Sequence, residues 1–305
     1  MKKLLTNNVL GITYTFIGAS LWGLSGVLGE YLLNISKINS SWVITNRIFF
    51  SGLIMIFYLY LKNKNKIFLI YKNKRDVFSL LKFSFLGLLV CQATYFLSVK
   101  YTNAPTATIL QYIGPTIIMC YYCIFKKRFP SFNEIIAILF SFLGTIIIAT
   151  HCDIKNIQVS LIGIFWGIFS AFGLALYSVL SLGLIKKYGA ILVVAWGFFI
   201  AGIVSEFATF NFYLPKNFTL LDFFAFLGVV IFGTILSFSF YLEGVQKIGA
   251  IKGSIIACFE PIAAIIFSYL LLEANLTVYD FIGVLFILAS VFILNIRGNR
   301  RKNDL

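Results

Sequence analysis

Two charged side chains sit where charge is expensive. Glu260 lies within Ile251–Leu272 (IKGSIIACFEPIAAIIFSYLLL), about one bilayer thickness of otherwise apolar chain, and Pro261 follows it at once. Arg47 is the only basic residue placed well inside an apolar run, away from its ends. A charge at such depth costs roughly 2.5–3.5 kcal/mol on insertion scales, which makes an intramembrane ionisable group a candidate functional site. Ionised, Glu260 would hold an amine; with its proton retained by desolvation, it would carry that proton. The plain alternative is a structural partner for a hydroxyl or a basic group. Arg47 suits a ligand carboxylate, or an ion pair with Glu260 or Glu30. Gln111, one turn before Pro115, offers a donor and an acceptor, either to a ligand or to a neighbouring helix.

The aromatic residues Trp22, Tyr95, Trp166, Trp196 and Tyr241 would line a cavity, stack on a cation, or only pack. Glu30, Glu206 and Glu243 fall near the ends of apolar runs, where headgroup water lowers their cost. Glu243 precedes Lys247 by four residues, the spacing of a simple helix pair. Enzyme chemistry finds no support. There is no GxSxG, no phosphate-binding loop and no HExxH, and the single histidine, His151, stands in a short connection. Five cysteines are an odd number, and Cys91, Cys120, Cys123 and Cys258 lie in apolar segments, which argues against a disulfide framework. Cys120 and Cys123 have CxxC spacing but no second pair, so no metal and no cofactor is expected.

These residues need membrane-spanning elements to hold them. Of 305 residues, 60% are hydrophobic and 12% charged, a balance no soluble domain of this size carries. The pattern predicts ten helices over residues 9–33, 41–61, 77–98, 104–125, 132–150, 158–184, 189–210, 221–244, 249–272 and 277–296. The net charge of +14 does not point to nucleic acid, because the basic residues sit in short runs between apolar blocks. With the N-terminus in the cytoplasm, nineteen Lys and Arg fall on the cytoplasmic side and four (Lys37, Lys100, Lys155, Lys216) on the other. That asymmetry places both termini inside. The first run lacks a cleavage site at a sensible distance and reads as a span that stays in the mature chain.

The chain repeats itself. A shift of 146 residues lays Asp76–Ile147 on Asp222–Ile293 without a gap. It matches Asp76 with Asp222, Gly87 with Gly233, Tyr95 with Tyr241, Pro115 with Pro261 and Phe140 with Phe286. Each half holds five spans, an odd number, so the second half enters the membrane from the opposite side. Inverted repeats of this kind suit alternating access about a midplane site, and paired broken helices are the best sequence pointer to it. The breaks are expected at Gly114-Pro115 in Pro105–Phe125 and at Pro261, where proline removes a backbone hydrogen bond. A duplicated scaffold without transport is the bland reading.

Six stretches carry a resemblance. They are Gly18–Gly26 (GASLWGLSG), Asn46–Phe49 (NRIF), Ala104–Pro115 (APTATILQYIGP), Phe165–Ala171 (FWGIFSA), Gly233–Leu242 (GTILSFSFYL) and Gly253–Pro261 (GSIIACFEP). Each is weak alone. Together, in this order, they resemble the EamA-type branch of the drug/metabolite transporter superfamily, over about residues 9–296, its inner-membrane members from enterobacteria among them. The resemblance implies an all-α integral membrane protein of ten transmembrane helices in two inverted-topology five-helix repeats. The expected units are 9–150, 158–296 and a cytoplasmic tail, 297–305. It also implies a multi-pass protein of the bacterial inner membrane that exports amino acids or related small metabolites through a central cavity. Arg47 matches the arginine common in the second helix of that family. Gly114 stands where the second half has Glu260, so the cavity charge is one-sided here.

The expectation is a secondary transporter driven by a proton or substrate gradient, with protons as the candidate coupling ion. Glu260, Arg47, Gln111, Trp22, Tyr95, Tyr241 and Trp166 would bind substrate, and Gly114, Pro115 and Pro261 would act as hinges. The partners are a small molecule and the lipid bilayer, with no nucleic acid; oligomeric state is not legible. The rival from another class is a membrane sensor or interaction protein on the same scaffold, which would bind a ligand without moving it.

Overall fold

A computed structural model describes residues 2–125, 132–150, 160–248, 256–257, 259–275 and 277–298. The basic loop Lys126–Arg128, His151, Cys152, Lys155, Lys252, Cys258 and the tail beyond Gly298 lie outside them, as do the side chains of Pro115 and Cys123.

All regular structure among the described residues is helical. Helix α1 runs Lys2–Glu30 and continues through a π-turn, Tyr31–Ile35; α2 is Ser40–Ile67. The rod α3, Lys74–Tyr101, carries a π-helical stretch at Phe83–Leu89. Next come α4 (Ala104–Gln111), α5 (Gly114–Phe125) and α6 (Phe132–Thr150). Then follow α7 (Leu161–Tyr188) and α8 (Ala190–Thr209). The rod α9, Leu220–Ile248, has its own π-helical stretch at Ile231–Leu236. The last two are α10 (Phe259–Leu272) and α11 (Val278–Gly298). Six of these are long and apolar enough to cross a membrane: Asn8–Ile35, Ser40–Lys62, Lys74–Tyr101, Leu161–Tyr188, Ala190–Thr209 and Leu220–Ile248. Shorter apolar helices cover Ile135–Gly144, Phe259–Leu272 and Val278–Ser290.

Local chemistry explains the ends. Asn73 caps α3 by accepting from the Arg75 backbone N–H at 2.9 Å, and Asn103 caps α4 through Thr106 N–H at 2.8 Å. Thr219 and Asp222 form a reciprocal capping box at the start of α9, and Ser36 donates to Asp222 from the end of α1. Thr219→Val removes the hydroxyl arm of that box and should destabilise the protein by about 1 kcal/mol, read as a lower thermal midpoint in detergent. Residues matched by the 146-residue shift therefore open α3 and α9: Asp76 and Asp222 each stand in the first turn.

The predicted span 104–125 is interrupted. Ile113 N–H bonds back to Leu110 O at 3.2 Å and Thr116 N–H to Ile113 O at 2.9 Å, so the ladder tightens between α4 and α5. Pro115 brings no N–H to continue it. Pro261 lies near the start of α10 and brings no N–H to Ala257 O four residues back, which accepts from the Tyr112 hydroxyl instead.

Packing pairs elements across the midpoint of the chain. Helix α1 lies against α9 and α10, while α7 lies against α3 and α4–α5; α2 packs on α8, and α6 on α11. Glycines set the closest approaches. A Cβ on Gly52 would meet the Phe199 backbone N at 2.3 Å, and one on Gly202 would meet Phe49 Cα at 2.4 Å. The Phe49 and Phe199 rings stack at 6.4 Å between them. At the α6–α11 contact Phe140 meets Phe286, the pair matched by the shift, at 5.3 Å.

The connection after α2 is clamped rather than loose. Ile67 and Ile70 are fully buried, and Trp196 donates its indole N–H to Ile67 O at 2.9 Å. Tyr71 packs edge-on to Trp196 at 4.8 Å, and partial burial pushes its phenol up to about 12, so it stays neutral at working pH.

Candidate functional site

The site is built around α1, because glycines there let three other elements come close. A Cβ on Gly18 would strike Tyr241 N at 2.7 Å, and one on Gly23 would lie 2.8 Å from Glu260 O. A Cβ on Gly26 would lie 2.4 Å from the Tyr95 hydroxyl. The glycine-rich motif GASLWGLSG thus seats the backbones of α9 and α10 and the tip of Tyr95 on one helix.

Arg47 is 3% exposed and reaches from α2 to the π-turn of α9. Its Nε donates to Thr234 Oγ1 at 3.0 Å and its Nη2 to Gly233 O at 3.5 Å. The guanidinium sits 4.5 Å over the Phe96 ring, a cation–π contact. The π-turn is what offers these acceptors: Thr234 donates its own hydroxyl five residues back, to Val229 O at 3.1 Å, which turns its lone pairs to Arg47. Nη1 has no hydrogen-bond partner. Among the described residues no ion pair joins Arg47 to Glu260 or Glu30, so its counterpart is a hydroxyl, a carbonyl and a ring.

Glu260 is half-buried at the start of α10. Tyr112, from the α4–α5 break, donates to Ala257 O, and its hydroxyl oxygen lies 3.4 Å from Glu260 Oε2. Tyr95, 7% exposed, shares a hydrogen bond with Thr108 at 3.0 Å. Its hydroxyl is within electrostatic range of Glu260, Arg47 and Glu30, and Cys91 is within range of Glu260 and Arg47. Gln111 donates to Cys91 Sγ at 3.5 Å. Trp22 packs at a tilt on Tyr241, ring centroids 4.7 Å apart, and meets the Phe238 edge at 5.0 Å.

Six of the seven predicted binding residues therefore gather about α1, α3 and the two interrupted elements. Trp166 does not join them; on α7 its ring packs with Phe165 and Phe169, both exposed on the outer surface. Gly114 opens α5 against α7, where a Cβ would lie 2.9 Å from Leu174 Cδ2. Sequence reasoning missed Thr234, Thr108 and Cys91 as partners. The shift that matches Gly87 with Gly233 was the signal near Thr234, since both glycines fall inside π-helical stretches. Glu30, read as a residue near a span end, accepts the Ala104 N–H at 2.7 Å and so caps α4.

Membrane-length helices enclosing a buried guanidinium, a carboxylate and hydroxyls define a polytopic membrane protein with a polar interior. Comparison with known proteins gives the family: the description of the EamA-like transporter family fits residues 9–150 and again 161–296, and the chain belongs to that family. It is 37% identical over 293 residues (95% of this chain, 97% of the relative) to an "Uncharacterized inner membrane transporter YicL" of Salmonella typhimurium. An "Uncharacterized transporter" of Clostridium kluyveri is 27% identical over 68% of each chain. A crystal structure matches the fold with a TM-score of 0.62 at 15% identity, covering 92% of this chain and 98% of its own. The protein is a membrane transporter by family, with a small-molecule substrate and a bilayer as its surroundings.

Proposed function

We propose that the chain is a secondary transporter that exports amino acids or related small metabolites by alternating access. In this reading ten segments cross the bacterial inner membrane as two inverted-topology five-helix repeats, 9–150 and 158–296, with both termini and the tail 297–305 in the cytoplasm. Glu260, Arg47, Gln111, Tyr95, Trp22 and Tyr241 belong to the cavity, and Gly114, Pro115 and Pro261 to the elements that bend.

The observation that carries the reading is the meeting of polar groups from both halves: Arg47 of the first half with Thr234 of the second, and Tyr112 of the first with Glu260 of the second. A cavity whose two sides come from different repeats opens to one face or the other as the repeats rock. The exchanged packing, α1 on α9 against α7 on α3, supports a two-fold relation between the halves. Arg47 would meet a carboxylate through Nη1, and Glu260 would meet an amine or carry a proton.

The test is purified protein in liposomes, screened for counterflow and net flux of amino acids, amines, carboxylates and sugars, with and without a pH gradient. At least one amino acid or close relative should move, faster with an outward-directed driving force. Binding without flux under every gradient would favour the sensor reading instead.

A further inference from the structure

Contacts between the two halves recur in matched pairs. Gly87 meets the Tyr177 backbone where its counterpart Gly233 meets Ser25, and Ser98 faces Gly167 where Gly244 faces Thr15. The partners on α1 and α7 differ in number by 152 in both cases, the shift that also lays Ala19 on Ala171. The same shift pairs the ends of those helices. Ser36 ends α1 and donates to Asp222, while Tyr188 ends α7 and donates to Asp76 at 2.7 Å. A left-handed residue follows each of them, Lys37 at φ 55 and Gly189 at φ 85.

The two fastenings differ in kind. Asp222 is 2% exposed and is held further by the Thr219 hydroxyl at 2.7 Å and N–H at 2.8 Å. Asp76 pairs with Lys187 as well as Tyr188, and that pair stands in solvent, the Lys187 side chain being 51% exposed. An exposed ion pair is the weaker kind, and salt screens it. Beside it lies a cavity of about 240 Å³, lined by Leu59, Ile67, Tyr188, Ala190, Leu192 and Gln246 among others. Tyr188 therefore belongs both to the cavity wall and to the fastening. Another part of the wall is held more firmly, since Ile67 O accepts from the buried Trp196 indole. We propose that Asp76, Lys187 and Tyr188 form a releasable latch over this cavity, and that the molecule opens at this end before the Asp222 end. Release frees Tyr188 and the α7–α8 turn to swing away from Leu59 and Ile67. On the transport reading this end faces the cytoplasm and the opening admits solute; the latch itself depends on neither.

Ala190→Cys places a reporter thiol in the lining, at a position 7% exposed. Purified full-length protein in detergent is treated with N-ethylmaleimide, and labelling is measured against the same background without the added cysteine. Asp76→Ala should raise the labelling rate about tenfold, equivalent to about 1.4 kcal/mol of lost fastening. Tyr188→Phe and Lys187→Gln should each raise it about threefold, and Ser36→Ala should leave it unchanged. Raising KCl from roughly 0.02 M to roughly 0.5 M should speed labelling in the wild-type background but not in Lys187→Gln. Unchanged labelling in Asp76→Ala, even with a lower thermal midpoint, would make the cluster a static clip and overturn the proposal. An equal rise in Ser36→Ala, or salt dependence that survives Lys187→Gln, would overturn it too. If Asp76→Ala does not fold, Tyr188→Phe and Lys187→Gln decide. None of these measurements uses flux, so a chain that moves no solute would still show the latch.

Discussion

Glu260→Gln should cut the initial rate of solute flux by roughly ten- to a hundredfold while leaving expression and the elution profile of the purified protein unchanged. The change keeps the side chain's size and leaves an oxygen for Tyr112, whose hydroxyl approaches Oε2 at 3.4 Å. What it removes is the charge, and the capacity to take and release a proton. Hydrogen bonds to charged groups contribute about 1.5–3 kcal/mol, and each 1.4 kcal/mol is about tenfold, which sets that range. The backbone of Glu260 is held by its approach to Gly23, so the fold does not depend on the carboxylate. Glu260→Asp separates position from charge: it retains the charge but draws it back, and partial flux is expected. Wild-type rates in Glu260→Gln would remove this residue from the mechanism.

The membrane class, the family and the location of the two charged groups were legible because each depends on short-range pattern. A carboxylate in twenty-odd apolar residues stands out without a partner, and so does Arg47. The π-helical stretches at Phe83–Leu89 and Ile231–Leu236 left no such mark, since an extra residue in a helical turn changes no periodicity over so short a run. Thr234 was therefore invisible as the acceptor for Arg47: its role depends on a turn geometry and a contact 187 residues away. Glu206 shows the opposite failure. Its place near the end of an apolar run suggested water, but the side chain is 1% exposed, and what covers a helix end is not encoded in hydropathy. Trp166 was chosen for its type, as an aromatic within a span, yet a helix face is set by what lies against it, and Gly163 and Gly167 turn the neighbouring face of α7 to Thr102 and Leu110.

Single alanines at Gly52 and Gly202 should each destabilise the protein by about 1–3 kcal/mol, and the double variant should cost less than their sum. Two effects oppose each other at these positions. Replacing glycine by alanine in a helix gains roughly 0.5–1 kcal/mol of backbone entropy. Against that, the new Cβ would stand 2.3 Å from the Phe199 backbone N, or 2.4 Å from Phe49 Cα, and a neighbouring backbone cannot swing aside as a flexible side chain does. Whole helices must separate instead, opening the stacked Phe49–Phe199 pair and every contact of α2 with α8, so the overlap outweighs the entropy. The two clashes are reciprocal, with each glycine facing the phenylalanine beside the other's turn. Once the first alanine has spread α2 from α8, the second finds part of its room already made, which is why the pair falls short of additive. Thermal midpoints in detergent for both singles and the double measure this coupling directly. Gly202→Leu leaves no such compromise and should yield no folded protein at all. Wild-type midpoints in both single variants would show that α2 and α8 do not meet at this distance.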